Sequence, residues 1–341
     1  MSLFDDTTTT PARVRPAEVA DVVARLGRQL PPSVHLGTSS WSFPGWQGIV
    51  YGGAYTESVL AREGLAAYAQ HPLLRCVGID RSFHQSLDTA GYARYAEQVP
   101  PGFRFLVKAP AQVTDAVLRG ERGAPQQDNP RFLDAALAAE CFVVPALEGL
   151  RERAGPLVFQ LPSLPREAVA TDAAHALIER IGTFLDALPR EVSGLEPIYA
   201  VELRNAELLT PRFTRMLRDC RARLTIGIHA RLPAAARQSA ALRALDGLAE
   251  EGDDWKMKGP LVVRWNLHSG FRYEDARARY APFDRLIDPD IVTRGSLVHL
   301  MHVAISSGQP SYVIANNKAE GSAPLSLIEL ARAVVGSPAE H

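Results

Sequence analysis

Cysteine is scarce in this sequence. The three cysteines, Cys76, Cys141 and Cys220, are scattered and show no Cys-x-x-Cys spacing. This pattern excludes a disulfide framework and a cysteine zinc site, and it is typical of buried thiols in a reducing compartment. The sequence also has no apolar run of about 18 residues or more, and its polar, acidic start lacks the apolar core of a secretory signal. We therefore expect a cytoplasmic protein that has no membrane partner.

A strong net charge is also lacking. The 341 residues carry a formal net charge of −1, and the sequence pI is about 6.8. Such a balance provides no overall field to hold a polyanion, so a nucleic-acid role would require a local basic patch. Hydrophobic residues make up 46% of the sequence and charged residues 22%, as expected of a globular protein with a full core.

Two catalytic motifs are missing as well. No Gly-x-Gly-x-x-Gly follows a predicted strand, which argues against a dinucleotide-binding fold. No Gly-x-Ser-x-Gly occurs, and Cys76 and Cys141 fall inside predicted elements. The sequence therefore gives no support for nucleophilic catalysis, and we expect no bound cofactor.

Eight short apolar runs, each followed by a helical pattern, indicate the fold. They lack the polar alternation of strands that have one face in water, so a parallel sheet covered on both faces is expected. The runs are residues 34–39, 75–80, 103–110, 156–162, 199–205, 223–229, 260–268 and 311–317. Eight β/α units with right-handed crossovers close into a single-domain α/β TIM (β/α)8 barrel. A doubly wound open sheet is the alternative.

The barrel domain is expected over residues 34–337, after an N-terminal extension of residues 1–33. We expect disorder to about residue 15 and an amphipathic helix over residues 16–30, with Val19, Val22, Val23 and Leu26 on one face. Inside the barrel domain, Asp128-Asn-Pro should cap a long helical stretch that runs to about residue 153. Pro145 should kink or split that stretch.

The most informative stretch is YAVELRN, residues 199–205. Strand side chains alternate, so Glu202 and Arg204 point to one side of this apolar run. An unpaired buried charge is costly, and only pairing or a wet cavity relieves the cost. A substrate cleft would be such a cavity.

Polar residues also stand at the ends of most other predicted strands. In TIM barrels the C-terminal strand ends face the loops that bind substrate. The predicted ring contains Asp80, Lys108, Gln160, Glu202, Arg204, His229, Arg264, Asn266, Asn316, Asn317 and Lys318. Cations outnumber carboxylates in this ring, and arginines offer forked donors, so a ligand that carries a carboxylate or phosphate is predicted.

Trp41 and Ser322 are two further candidates for ligand binding. Trp41 lies in the loop after the first strand, where it serves either as a packed lid or as a binding platform. Ser322 lies at the start of the last helix, beside the strands where barrels often hold phosphate. A simple helix N-cap explains Ser322 equally well.

Glu202, Lys108 and Asp80 are the catalytic candidates. Glu202 is the best general acid or base, because nearby cations and burial tune its pKa. The alternative for Glu202 is a permanent ion pair that orients an arginine. Asp80 also fits a turn or N-cap residue, and Lys108 should face inward with Leu106. No metal is expected, because no His-x-His or similar ligand pair occurs and cations crowd the predicted site.

Several segments resemble the domain of unknown function 72 (DUF72, YecE-like) family. They are residues 37–46 (GTSSWSFPGW), 103–110 (FRFLVKAP), 159–162 (FQLP), 200–205 (AVELRN), 312–317 (YVIANN) and 321–324 (GSAP). The resemblance spans about residues 34–335 and implies a TIM barrel, but no established reaction, substrate or cofactor. The chain departs from the family pattern at residues 77–81, VGIDR, where relatives often have a glutamate followed by an asparagine. His84 stands where tyrosine is common.

These observations lead to one preferred function and two alternatives. We expect a barrel protein that binds a small anionic metabolite at its C-terminal mouth, with metal-independent acid–base catalysis by Glu202. Such an enzyme would be a cofactor-independent hydrolase, lyase or isomerase. The alternatives are a nucleic-acid or nucleotide binding module, in which arginines contact phosphates and tryptophans stack, and a metabolite sensor without catalysis.

Overall fold

The computed structural model describes residues 13–119, 124–229, 232–247, 255–268 and 271–336. The strands in chain order are β1 Val34–Thr38, β2 Leu74–Ile79, β3 Arg104–Lys108, β4 Val117–Arg119, β5 Pro125–Asp128, β6 Ala154–Gln160, β7 Tyr199–Glu202, β8 Arg223–Ile228, β9 Leu261–Trp265 and β10 Ser311–Ala315. Eight of them form a closed barrel in the order β1-β10-β9-β8-β7-β6-β3-β2, while β4 and β5 form a separate antiparallel pair.

The predicted TIM barrel is confirmed. Each of the eight predicted runs overlaps one barrel strand, and all the barrel pairings are parallel. The pair β4–β5 was not predicted, because its second strand reads Pro-Gln-Gln-Asp and lacks the apolar pattern of a strand.

The barrel interior is built in layers. One layer is an apolar cluster that contains Cys76, Leu106, Val158, Ala200, Val262 and Ile314. Side chains alternate along a strand, so the residue two positions further on also points inward. Those positions hold Gly78, Lys108, Gln160, Glu202, Arg264 and Asn316. A polar layer therefore lies above the apolar one, at the C-terminal ends of the strands, which we call the barrel mouth.

Helices cover the outside of the barrel. They are α1 Asp21–Gln29, α2 Glu57–Glu63, α3 Leu65–Tyr68, α4 Thr89–Ala96, α5 Ala111–Thr114, α6 Ala135–Ala138, α7 Val144–Leu150, α8 Thr171–Asp186, α9 Pro211–Asp219, α10 Ala235–Leu245, α11 Tyr273–Tyr280, α12 Ile291–Ser306 and α13 Ala323–Gly336. Outward-facing strand residues such as Val107, Val201 and Val263 share the main core cluster with these helices. None of the helices in the described ranges is both long and apolar enough to cross a membrane.

The predicted long helix before β6 is split, as Pro145 indicates. A π-helical turn, Ala139–Val143, separates α6 from α7. Proline has no amide hydrogen, and its ring crowds the carbonyl four residues earlier, so a wider turn relieves the clash. The predicted start of this stretch at Asp128 is wrong. Asp134 is the N-cap, because its side chain accepts a hydrogen bond from the amide of Leu137 at 2.9 Å.

The helix of the N-terminal segment begins later than predicted. It starts at Asp21 rather than at residue 16, because Pro16 forms an isolated bridge with Tyr51. Val22, which the sequence places on the apolar face, is exposed, whereas Val23 is buried. α1 packs against α13.

The expected disorder of residues 1–15 falls mostly outside the described residues. Within the described part, Val14 is buried in the main core cluster. The amide of Arg15 donates a hydrogen bond to the hydroxyl of Tyr55 at 3.1 Å. The segment just before α1 is thus attached to the barrel domain.

Gly37 allows β1 to approach β2 closely, and its replacement gives a first prediction. A Cβ at Gly37 would lie 1.9 Å from the carbonyl oxygen of Cys76, which is backbone and has no rotamer to change. We expect Gly37→Ala to lower the free energy of unfolding by about 1–3 kcal/mol or more, as overpacking does. Gly295→Ala is the control: this exposed position of α12 has open space, and alanine should stabilise the helix by about 0.5–1 kcal/mol. Urea denaturation of both variants measures the difference, and equal effects would contradict the expectation.

Candidate functional site

Glu202 ends β7 at the barrel mouth and has no exposed surface. Its Oε1 lies 2.6 Å from Nη2 of Arg204, and its Oε2 accepts a hydrogen bond of 2.6 Å from Nη1 of Arg264. Nδ2 of Asn266 donates to Oε1 at 3.3 Å. The predicted common orientation of Glu202 and Arg204 is confirmed, and the two ion pairs explain how the carboxylate is buried.

Arg264, on β9, is bonded to both carboxylates of the mouth. Besides Glu202, its Nη1 donates to Oε1 of Gln160 at 2.8 Å, and its Nη2 donates to both carboxylate oxygens of Asp80 at 3.0 Å. Nη2 of Arg204 donates to the same Gln160 oxygen at 3.2 Å. Asp80, Gln160, Glu202, Arg204 and Arg264 thus form one connected set, which we call the mouth network. It joins β6, β7 and β9 to the end of β2.

The charges of the mouth network hold each other ionised. Burial raises the pKa of Glu202, but Arg204 and Arg264 lower it more strongly, so the pKa lies below its usual range. Burial lowers the pKa of Arg264, and Asp80 and Glu202 more than compensate, so this pKa is raised. At neutral pH Glu202 is therefore ionised and Arg264 is protonated.

Arg204 differs from Arg264 in its bonding. Burial lowers the pKa of Arg204, with a smaller opposing effect from Glu202. Its Nη1 is buried and has no hydrogen-bond partner among the residues that the structure describes. Arg204 therefore keeps one guanidinium nitrogen for a further acceptor, while its other terminal nitrogen is fixed by Glu202 and Gln160.

Lys108 is the third cation that points into the mouth. It ends β3, is 8% exposed, and its Nζ lies 3.4 Å from the ring centre of Phe83. Burial, followed by the charge of Arg264, lowers the pKa of Lys108 to about 8, against weaker opposing effects from Asp80 and Glu202. Within the described ranges it forms no ion pair with a carboxylate at 4.0 Å or less.

Phe83 and Ser82 shape the wall beside Lys108, and sequence analysis did not identify them. Both lie in a 3-10 turn, Arg81–Phe83, that directly follows Asp80. The hydroxyl of the fully buried Ser82 donates to the backbone oxygen of Lys108 at 2.6 Å, so the turn is attached to the end of β3. In the sequence, only their position directly after Asp80 could have indicated that Ser82 and Phe83 lie at the barrel mouth.

The three predicted residues after β10 are fixed by the loops around them. Nδ2 of Asn316 donates to Oγ of Ser39 at 2.8 Å, and its Oδ1 accepts from the amide of Lys318 at 3.0 Å. Asn317 and Lys318 are both buried. The backbone oxygen of Lys318 accepts a hydrogen bond from the amide of His268, which connects this loop to the end of β9.

Ser322 precedes α13 and is fully buried. The capping bond at this helix comes from Asn317 instead: its Oδ1 accepts from the amide of Ala323 at 2.9 Å and from Nε1 of Trp46 at 3.1 Å. Oγ of Ser322 has no hydrogen-bond partner among the described residues. Among the described residues, no hydrogen bond connects the side chain of Ser322 with the mouth network.

The two remaining candidates lie at other places around the mouth. Trp41 is buried, and its Nε1 donates to the backbone oxygen of Leu60 in α2 at 3.1 Å, which favours the packed-lid interpretation. His229 is half-buried, directly after β8. Among the described residues, no group of three or more histidine, cysteine, aspartate or glutamate residues is placed to hold a metal ion.

Two glycines leave little free space beside the mouth network. A Cβ at Gly78 would lie 3.2 Å from the Cα atom of Ser39. A Cβ at Gly227 would lie 2.9 Å from Leu232 and 3.7 Å from Glu202. A larger residue at Gly78 would thus require the backbone at Ser39, just after β1, to move.

The fold and this site define a class of protein: a TIM barrel whose mouth holds a buried network of carboxylates and arginines. A model of the family described as "Protein of unknown function DUF72" matches residues 35–340, and the chain belongs to that family. The resemblance seen in the sequence is thereby confirmed. A comparison with curated proteins finds no match.

Solved structures of the same family share the fold. A DUF72 family protein from Enterococcus faecalis V583 is 18% identical, with a TM-score of 0.55, over 89% of this chain and 96% of that one. A DUF72 family protein from Thermotoga maritima MSB8 is also 18% identical, with a TM-score of 0.52, over 87% of this chain and 97% of that one. At this identity the likeness concerns the fold alone.

Proposed function

We propose that this protein binds a small anionic metabolite, one that carries a carboxylate or a phosphate, at the barrel mouth. The observation that carries the proposal is the buried Nη1 of Arg204, which has no acceptor among the described residues. A guanidinium N–H that is removed from water and left without an acceptor costs free energy, and a ligand oxygen relieves that cost.

The charge balance of the mouth supports the same ligand class. Glu202 and Asp80 are both bonded to arginines, so neither is available to neutralise Lys108. With Lys108 protonated, the three cations Lys108, Arg204 and Arg264 face the two carboxylates Asp80 and Glu202. An anionic group restores neutrality, and arginine binds planar or tetrahedral oxyanions through more than one N–H.

The geometry also favours one of the two roles considered for Glu202. Both of its oxygens hold arginines, and its pKa is lowered, so it is a poor proton donor at neutral pH. We infer that Glu202 orients Arg204 and Arg264. Asp80, whose side chain is 40% exposed, is then the carboxylate of the mouth network that a bound metabolite can reach.

Replacing Arg204 tests the proposed binding site. A screen by thermal shift against phosphate, pyruvate, citrate, ribose 5-phosphate and a short oligonucleotide should show stabilisation by at least one small anion. A ligand at about 100 times its Kd adds roughly 2.7 kcal/mol. Arg204→Ala should weaken that binding by about 10- to 100-fold, because a hydrogen bond to a charged group contributes about 1.5–3 kcal/mol.

Arg223→Ala is the matched control for this experiment. Arg223 is also a buried arginine paired with a carboxylate, since its Nη1 lies 2.7 Å from Asp246, but it begins β8 at the opposite end of the barrel. Its loss should reduce stability and leave the affinity for the anion unchanged. Equal loss of affinity in both variants, or stabilisation by the oligonucleotide alone, would reject the proposal.

A further inference from the structure

Lysine is rare in this chain, and one of its lysines lies inside the barrel. Of the 37 lysines and arginines, only four are lysines: Lys108, Lys256, Lys258 and Lys318. Lys256 and Lys258 are exposed. Arginine stays protonated in proteins, whereas lysine can lose its proton and become a nucleophile. A lysine at the barrel mouth therefore offers chemistry that the arginines around it do not.

The surroundings of Lys108 suit a reactive amine. Lys108 is only 8% exposed, and the face of Phe83 shields Nζ on one side at 3.4 Å. Within the described ranges no carboxylate forms an ion pair with it. Four charged groups act on the amine: Arg264 and Arg204 oppose its protonation, and Asp80 and Glu202 favour it. A desolvated lysine beside other cations is an established way to activate an amine nucleophile.

We propose that Lys108 forms an imine with a small aldehyde or ketone that also carries a carboxylate or phosphate. This inference rests on the proposed function, because it assigns the anionic group to Arg204 and the carbonyl group to Lys108. It identifies a nucleophile that no sequence motif indicated.

The reaction needs no oxidant, reductant or bound cofactor. The lone pair of neutral Nζ attacks the carbonyl carbon, the carbonyl π electrons move to oxygen, and a proton passes from nitrogen to that oxygen to give a carbinolamine. The nitrogen lone pair then expels the hydroxyl group, which takes a second proton from solvent and leaves as water. The product is a protonated imine, and addition of water reverses the sequence. We assign the transfer of the proton from nitrogen to oxygen to Asp80, the exposed carboxylate that acts electrostatically on Lys108.

A neutral amine is available near physiological pH. With a pKa of about 8, roughly a quarter of Lys108 is unprotonated at pH 7.5, compared with about 0.1% of an ordinary lysine. The resulting iminium is a cation in the position of the ammonium. Asp80 and Glu202, although paired with arginines, attract this cation at a distance, as they attract protonated Lys108, and more weakly than burial and Arg264 oppose it.

Reductive trapping tests the proposal on the full chain. The protein is incubated with sodium cyanoborohydride and either pyruvate or dihydroxyacetone phosphate, and the adducts are located by peptide mass spectrometry. We expect modification of Lys108 at least tenfold faster than of Lys256 and Lys258, which serve as exposed controls within the same sample. Lys108→Arg, which keeps the positive charge, should lose that adduct. Absence of a Lys108 adduct with both compounds, or a rate equal to that of the exposed lysines, would overturn the proposal.

Neutral analogues separate this proposal from the proposed function. Methyl pyruvate and dihydroxyacetone keep the carbonyl group and lack the anionic group. If both proposals hold, pyruvate and dihydroxyacetone phosphate are trapped and the neutral analogues are not. The Arg204→Ala variant should then lose this preference for the anionic compounds. Equal trapping of acids and analogues would leave the Lys108 imine standing and reject the anion site. Thermal stabilisation by pyruvate without any trapping would reject the imine and leave the anion site standing.

Discussion

Glu202→Gln is expected to lower the free energy of unfolding by about 3–5 kcal/mol, the cost of removing one partner from a buried ion pair. The substitution keeps the size of the side chain but removes the charge that compensates Arg204 and Arg264. Arg264 retains Asp80, whereas Arg204 loses the only ion pair that the described residues give it. An amide N–H₂ in this place would also face a guanidinium donor, so one of the two short hydrogen bonds is lost.

Denaturant unfolding of Glu202→Gln and Glu329→Gln measures this effect against a matched control. Glu329 forms an ion pair with Arg332 at 2.6 Å, but both side chains are at the surface, 32% and 47% exposed. Exposed pairs contribute about 0–1 kcal/mol, so Glu329→Gln should change stability little. A Glu202 variant as stable as the Glu329 variant would show that the mouth network is not needed to keep the arginines buried.

Acid is expected to destabilise the protein through two buried histidines. Burial, with help from Arg104 and Arg75, lowers the pKa of His35 to about 4, and its ring stacks on Tyr312 with centroids 5.0 Å apart. Burial lowers the pKa of His71 to about 4 as well. Both are therefore neutral in the folded protein at pH 6, where a histidine in the unfolded chain is mostly protonated.

The sign of this effect follows from proton binding. Above about pH 7.5 both states hold the histidines neutral, and the free energy of unfolding does not depend on them. Between pH 6.5 and 4 the unfolded chain binds protons that the folded protein does not, so stability falls by up to about 1.4 kcal/mol per pH unit for each histidine. The loss amounts to about 3 kcal/mol per histidine at pH 4.

His71→Asn tests this prediction. Nδ1 of His71 accepts a hydrogen bond from the amide of Leu73 at 3.3 Å, and the amide oxygen of asparagine can replace that acceptor. Between pH 6.5 and 4, the free energy of unfolding of this variant should decrease by only about half as much as that of the unmodified protein. His84→Asn, at an exposed position, should leave the pH profile unchanged. An unaltered profile in His71→Asn would rule out this histidine as a cause of acid destabilisation.

The barrel could be predicted because its signal is local. Each strand is a short apolar run with a helical pattern after it, and alternation within a strand was enough to place Glu202 and Arg204 on one side. The pair β4–β5 was not predicted, since Gln126 and Gln127 give no apolar alternation. Helix starts were less reliable: the bridge of Pro16 with Tyr51 delays the start of α1, and the local N-cap of α6 is Asp134 rather than Asp128.

The contacts of the site could not be predicted in the same way. Arg264 binds Asp80 across 184 positions and Glu202 across 62, and only closure of the barrel brings these residues together. Alternation indicates that they point inward, but not which oxygen faces which nitrogen. Phe83 is a further case, because its position over Lys108 depends on the bond from Ser82 to the end of β3.

The bonding of Arg264 has a consequence for the entropy of ligand binding. Its Nη1 and Nη2 are held by three side chains before any ligand arrives. Immobilising one long side chain costs about 0.5–1.5 kcal/mol, and for Arg264 that cost falls on folding rather than on association. A ligand of the barrel mouth therefore meets an arginine whose conformational freedom is already gone, and its affinity depends on the contacts it makes there.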